Sequence, residues 1–278
     1  MDPLTISVLG MGGLSAALSA ALGVADRYLR VDSDPRVEEI VGILPGANCG
    51  GCGKPGCRAY AEAVVKGDTT PDKCGPGGID VAREVAAVMG IEIGEMTRHV
   101  AVVHCRAGDG VRRIRAAYQG PTSCRLADLL GGQTECAWGC LGLGECVDAC
   151  PFDAIHMADG LPVVDPVACT GCGRCVAVCP RDIISIEPLD GEYGIVAVGC
   201  RSQDRGPMAR KVCDLSCLGC GICNRKSPNS LFIVESFLAV ADLARICEHE
   251  DEADALRTQC PRGTIVRLYA IERAGSPR

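Results

Sequence analysis

The sequence is poor in aromatic residues, which make up 3% of the chain, and it has no excess of basic charge. Its 28 Lys and Arg stand against 35 Asp and Glu, for a formal net charge of −7. Nucleic-acid binding needs a basic face and, for single strands, stacking rings, so these two shortages exclude it. Large side chains for a core are equally scarce, and bound inorganic groups are expected to supply part of the cohesion. Histidine is limited to His99, His104, His156 and His249, at spacings that form no ligand motif. The chain offers no defensible acid–base pair, nucleophile or nucleotide loop. Gly10-Met11-Gly12-Gly13 lies inside an apolar run, not between a strand and a helix. No independent catalytic site is expected.

What the chain does have is cysteine, 21 residues in all. A secreted disulfide scaffold is usually short with an even count, so clustered CxxC spacings in a long chain favour metal binding in a reducing compartment. Residues 169–180 read CTGCGRCVAVCP, the CxxCxxCxxxCP run of ferredoxins with two [4Fe–4S] clusters, in which the last cysteine ligates the other cluster. A partner run lies upstream at Cys136, Cys140, Cys146 and Cys150. Cross-pairing predicts one set from Cys169, Cys172, Cys175 and Cys150. It predicts another from Cys136, Cys140, Cys146 and Cys179, with Cys136 standing in because the middle position of that run is Leu143. Electron transfer is the chemistry these sets imply.

The same run recurs. Residues 136–151 align without gaps on residues 213–228, and each copy follows an apolar strand ending in Cys-Arg, at Cys105-Arg106 and Cys200-Arg201. In the second copy Cys217, Cys220 and Cys223 keep the spacing, with Cys260-Pro261 as the remote ligand. The companion site is lost: Ser227 replaces the cross-ligand, and Glu250, Ala253 and Leu256 occupy the other three positions. Apolar packing is expected there, with Leu256 and Val234 as candidates. Cys105, Cys124, Cys200, Cys213 and Cys247 are left over as buried or free thiols; a further cluster on Cys105, Cys124, Cys200 and Cys213 is the minority reading.

Near the start, residues 4–25 carry no charge, enough to span a bilayer, which takes about 20 apolar residues. A signal peptide would need a basic leading region, and only Asp2 precedes the run. Arg27, Arg30 and Arg36 follow it, which by the positive-inside rule places the bulk of the chain in the cytoplasm. Next come a short helix capped by Asp34, a glycine-rich loop with Cys49, Cys52 and Cys57, a helix over 58–67, Cys74, and a helix over 79–90. By spacing alone this set could hold a cluster or zinc. Residues 98–105 read as a strand. Arg106, Arg112, Arg113, Arg115 and Arg125 are read as solvated surface, with docking of an acidic partner as the sharper alternative. An Asp159-Gly160 turn predicts a hairpin.

The segments DPRVEEI, LPGANCGGCGKPGCRAYAEAV, CGPGG and the run from CLGLGECVDACPFDAI to CTGCGRCVAVCPRDII resemble the B-subunit family of Rnf complexes, the ion-translocating ferredoxin:NAD oxidoreductases. The resemblance covers residues 1 to about 235. It implies a [4Fe–4S] cluster on Cys49, Cys52, Cys57 and Cys74, a membrane anchor, ferredoxin as electron donor or acceptor, and other subunits of a membrane complex as partners. The resulting expectation is an α+β chain with five segments: a transmembrane helix over 1–26, a small helical [4Fe–4S] module over 27–95, a strand and basic segment over 96–130, and two ferredoxin-like units in series. The first, 131–190, would hold two clusters, and the second, 191–278, one. The location implied is the inner (cytoplasmic) membrane, with the cluster domains facing the cytoplasm. Two other readings remain: a soluble iron–sulfur subunit of another dehydrogenase, and a cluster-based redox sensor.

Overall fold

A computed structural model of the chain describes residues 2–29, 34–94, 96–189 and 194–269. The first helix, α1 (Pro3–Leu29), contains a stretch, Val8–Arg27, of mean hydropathy 1.7 with none of it buried. By length and composition it can cross a membrane. Of the arginines expected to orient it, Arg30 lies outside the described residues.

Three helices then form a small core. In α2 (Pro35–Ile43), proline occupies the first turn and the Asp34 carboxylate accepts the Arg36 N–H at 2.9 Å, satisfying a donor that the helix start leaves unpaired. The next two are α3 (Cys57–Lys66) and α4 (Gly78–Met89). Val37, Ile40, Tyr60, Val64 and Val85 meet between them. The Tyr60 hydroxyl donates to the Thr70 carbonyl at 2.9 Å, so the buried ring keeps its polar end satisfied.

The remaining strands pair in a repeated order. β1 (Arg98–Val103) runs antiparallel to β4 (Ile184–Leu189), and between them in sequence β2 (Ile155–Ala158) and β3 (Leu161–Val164) form a hairpin. β5 (Ile195–Val198) runs antiparallel to β8 (Ile265–Leu268), enclosing the hairpin of β6 (Phe232–Glu235) and β7 (Leu238–Ala241). β1 packs on β3, and β5 on β7. The strand over 98–105, the hairpin at Asp159-Gly160 and the recurrence of the Cys-Arg strand are therefore all found where the sequence placed them.

Short helices join these strands: α5 (Cys124–Leu129), α6 (Glu145–Asp148) and α7 (Arg174–Val178) in the first unit. The second has α8 (Gly206–Val212), α9 (Ile222–Arg225), α10 (Leu243–Glu248) and α11 (Glu250–Gln259). α11 occupies the stretch where the lost cluster's three ligands would fall. It turns Ala253 and Leu256 into a core with Leu231, Phe232 and Ile246. Leu256 thus fills the lost site as expected, whereas Val234 lines the neighbouring cysteine-ringed cavity. Ser227 is buried and structural: its hydroxyl accepts the Leu231 N–H at 2.9 Å and donates to the Glu252 carboxylate at 2.5 Å.

Candidate metal centres

Cys49, Cys52, Cys57 and Cys74 line one cavity. The glycine-rich loop wraps it, and the Asn48 side-chain oxygen accepts the Cys57 N–H at 2.9 Å, tying the loop to the start of α3. Burial raises the Cys74 thiol above its ordinary value, and the other three sulfurs add to the effect. This module sits directly on the next centre. A Cβ on Gly51 would lie 2.9 Å from the Cys172 Cα, and one on Gly75 would lie 2.5 Å from the Thr170 carbonyl oxygen. Only glycine permits that approach.

Cys169, Cys172 and Cys175 gather at the start of α7, with Cys150 packed against the same core. The Ala101 N–H of β1 donates to the Cys169 sulfur at 3.4 Å. Burial pushes the Cys175 thiol up to about 12, with Cys169 and Cys172 contributing.

The third group departs from the sequence expectation. Cys140, Cys146 and Cys179 line one cavity, and the fourth cysteine there is Cys124, not Cys136. The reason is local. Ser123 caps α5 by accepting the Leu126 N–H at 3.2 Å and donates to the Glu145 carboxylate at 2.6 Å. The other Glu145 oxygen accepts the Arg125 N–H at 3.1 Å. This clamp sets the first residue of α5 beside Cys146 at the start of α6. The gap at Leu143 signalled that a substitute was needed, but nothing in the spacing pointed to a cysteine so far upstream.

Cys217, Cys220, Cys223 and Cys260 line a third cavity, so the structure brings together the four cysteines the spacing grouped. Burial acts to raise the Cys260 thiol, but N–H donors from Arg262, Thr264 and Ile265 outweigh it and hold the group below its ordinary value. Elsewhere burial dominates: Cys140 is pushed up to about 12, and Cys146 to about 11. Thiols so placed keep their protons unless a cation takes their place.

Of the basic stretch, Arg106, Arg113, Arg115 and Arg125 are exposed as expected, and Arg112 is the exception. The Arg112 side chain is only 6% exposed and bonds the Asp109 carboxylate and the Gly160 carbonyl, each at 2.8 Å. Arg106 donates to the Gly263 carbonyl and Arg115 to the Gly131 carbonyl. His104 is half-buried, and its ring bridges the two strand units, meeting the Val198 carbonyl at 2.8 Å and the Ser185 hydroxyl at 2.7 Å.

The cavities fit an extended cluster better than a single ion. Among the described residues, no three His, Cys, Asp or Glu side chains converge tightly enough to grip one metal ion. The sulfurs instead ring cavities, some of them receiving backbone N–H bonds, as iron–sulfur ligands do. Comparison with known proteins agrees on this class. Residues 44–76 match the FeS family model (Fe-S cluster), and residues 138–184 match the 4Fe-4S dicluster domain.

Relatives narrow it further. The chain is 39% identical to the B-subunit of the ion-translocating oxidoreductase complex of Methanosarcina acetivorans, over 85% of this chain and 89% of the relative. It is 38% identical to the B-subunit of the proton-translocating ferredoxin:NAD(+) oxidoreductase complex of Clostridium ljungdahlii, over 97% and 94%. The Na(+)-translocating counterpart of Acetobacterium woodii is 39% identical, over 76% of this chain and 63% of the relative. The chain belongs to the B-subunit family of ion-translocating oxidoreductase complexes.

Proposed function

We propose that this chain is the electron-carrying subunit of an ion-translocating ferredoxin:NAD oxidoreductase, passing electrons between ferredoxin and the membrane partners of the complex. Its metal sites are four [4Fe–4S] positions: Cys49, Cys52, Cys57 and Cys74; Cys150, Cys169, Cys172 and Cys175; Cys124, Cys140, Cys146 and Cys179; and Cys217, Cys220, Cys223 and Cys260. The two strand units are ferredoxin-like and stand in series, and α1 anchors them to the cytoplasmic face of the inner membrane. The observation that carries this reading is the set of cysteine-ringed cavities in a chain of this family.

The clusters supply one-electron exchange when bound. The chain's own residues hold them, exclude water and set their electrostatics. The Ala101 and Thr264 N–H groups each donate to a ligand sulfur at 3.4 Å and stabilise its negative charge. The close approach of Gly51 to Cys172 and of Gly75 to Thr170 brings the N-terminal module against the first strand unit, a packing suited to short electron steps. NAD chemistry falls to partner subunits.

Iron and sulfide determination with EPR on the full chain, purified without air, tests the reading. Stoichiometric sulfide and reduction by low-potential ferredoxin are expected; zinc with little sulfide would overturn it. Removing residues 1–26 should release the chain from membranes in cells lacking the partner subunits. A full-length chain that is already soluble there would overturn the anchor.

A further inference from the structure

Four cysteines outside these sets meet at the junction of the two strand units. Cys105, Cys136, Cys200 and Cys213 line one pocket. The repeat explains the arrangement. Cys105 and Cys200 each lie two residues past the end of an equivalent strand, and Cys136 and Cys213 are equivalent positions of the aligned runs. Each unit therefore contributes the same two cysteines. One sulfur of each unit also receives a backbone hydrogen bond: the Cys140 N–H donates to the Cys105 sulfur and the Ser202 N–H to the Cys200 sulfur, each at 3.4 Å.

The cavity wall is suited to an anion. Arg112, Arg113 and the half-buried His104 line it. Arg112 is 6% exposed, and its Nε has no hydrogen-bond partner. A buried guanidinium with an idle donor calls for negative charge nearby, and a cubane on four thiolates supplies it. His104 spans from β1 to the Val198 carbonyl of β5, and Arg262 donates to the Cys213 carbonyl at 3.0 Å, so the junction is braced on both sides.

We propose that Cys105, Cys136, Cys200 and Cys213 hold a fifth [4Fe–4S] cluster, shared between the two units. The proposal rests on the iron–sulfur reading above and extends it. It replaces the minority set that included Cys124, because Cys124 lines the neighbouring cavity. Its place is also informative. Cys140 lines both this cavity and the Cys124 cavity, while Cys200 packs against the core that holds Cys217, a residue of the Cys260 cavity. The fifth site therefore lies between the clusters of the first unit and the lone cluster of the second, and joins them into one path.

The test is iron and sulfide content with Mössbauer spectra on the full-length chain, prepared anaerobically in detergent. About twenty irons per chain are expected, against about sixteen for four clusters. The double variants Cys105→Ser/Cys200→Ser and Cys136→Ser/Cys213→Ser should each lose about four irons and about a fifth of the cluster signal. Cys247→Ser should lose none. A wild-type count near sixteen, or double variants with unchanged iron and spectra, overturns the fifth site and leaves the four-cluster reading standing. Zinc, or absence of sulfide, overturns both. Should a double variant fail to fold, the wild-type count decides.

Discussion

The two strand units are built to one plan and filled differently. Both set a hairpin between the halves of an outer strand pair. In the first, three buried cysteines, Cys140, Cys169 and Cys175, belong to the core itself. In the second, Cys217 alone does, and Leu231, Phe232, Ile246 and Leu256 occupy the rest. The difference teaches that a cubane and a small group of apolar side chains are alternative ways to hold one backbone. Where a cysteine loop gives way to α11, the strand pairing survives because Ala253 and Leu256 bury apolar surface in its place.

Stripping the iron should break this comparison most sharply. The first unit is expected to lose its structure, while β6 and β7 stay protected over Phe232. Hydrogen exchange on chelated, reduced protein reads this directly, and equal loss in both units would refute the contrast.

The next effect concerns one alignment. Leu143 of the first unit stands where the second has Cys220. Cys124→Ser should cost about four irons, and adding Leu143→Cys should restore them, because Cys220 lines the second unit's cysteine cavity from this same position. If Cys124→Ser leaves the iron count unchanged, the ligand assignment is wrong.

Leu256→Ala probes the apolar substitute for the lost cluster. The side chain is 2% exposed, so truncation should cost about 2–5 kcal/mol through lost transfer energy and a residual cavity. Thermal or denaturant unfolding of the second unit measures it, and the first unit's clusters should keep their spectra.

The smallest effect is at Ser227. Ser227→Cys should add no iron, since α11 offers no co-ligands. Ser227→Ala should cost about 1–3 kcal/mol by leaving the buried Leu231 N–H unpaired. The hydroxyl's bond holds the Glu252 carboxyl below its ordinary value of 4.5, with Asn229 assisting. A depressed carboxyl stabilises the fold above its unfolded value, and that support is lost as pH falls through the folded value. Exchange at the Leu231 amide should accelerate in acid more steeply in the wild type than in Glu252→Gln.

Much of this was legible in the sequence because cysteine spacing is rigid chemistry. A CxxCxxCxxxCP run fixes ligands by covalent reach, and Asp34, Pro35 and Asp159-Gly160 mark their helix and turn by backbone preference. Sequence failed where position depends on tertiary contact. Cys124 reaches its cavity through the Glu145 clamp, and Cys136 is drawn to the junction by the second unit, so no local pattern could assign either. The second hairpin was missed for another reason. Its turn puts Ser236 and Phe237 at positive φ, with Arg205 stacked 5.6 Å from the Phe237 ring, and no glycine announces it. Within the basic stretch Arg112 misled by composition: it looks like surface charge, and its side chain is buried.

The uneven exposure of the cysteines bears on survival in air. Among those assigned to clusters, Cys220 is the exposed one, whereas its partners and the ligands of the other sites are buried or half-buried. Oxygen and small oxidants meet the path at this centre first. Damage should therefore begin at the Cys220 centre and spare the better-covered ones, so that a briefly oxidised protein loses its most exposed centre first.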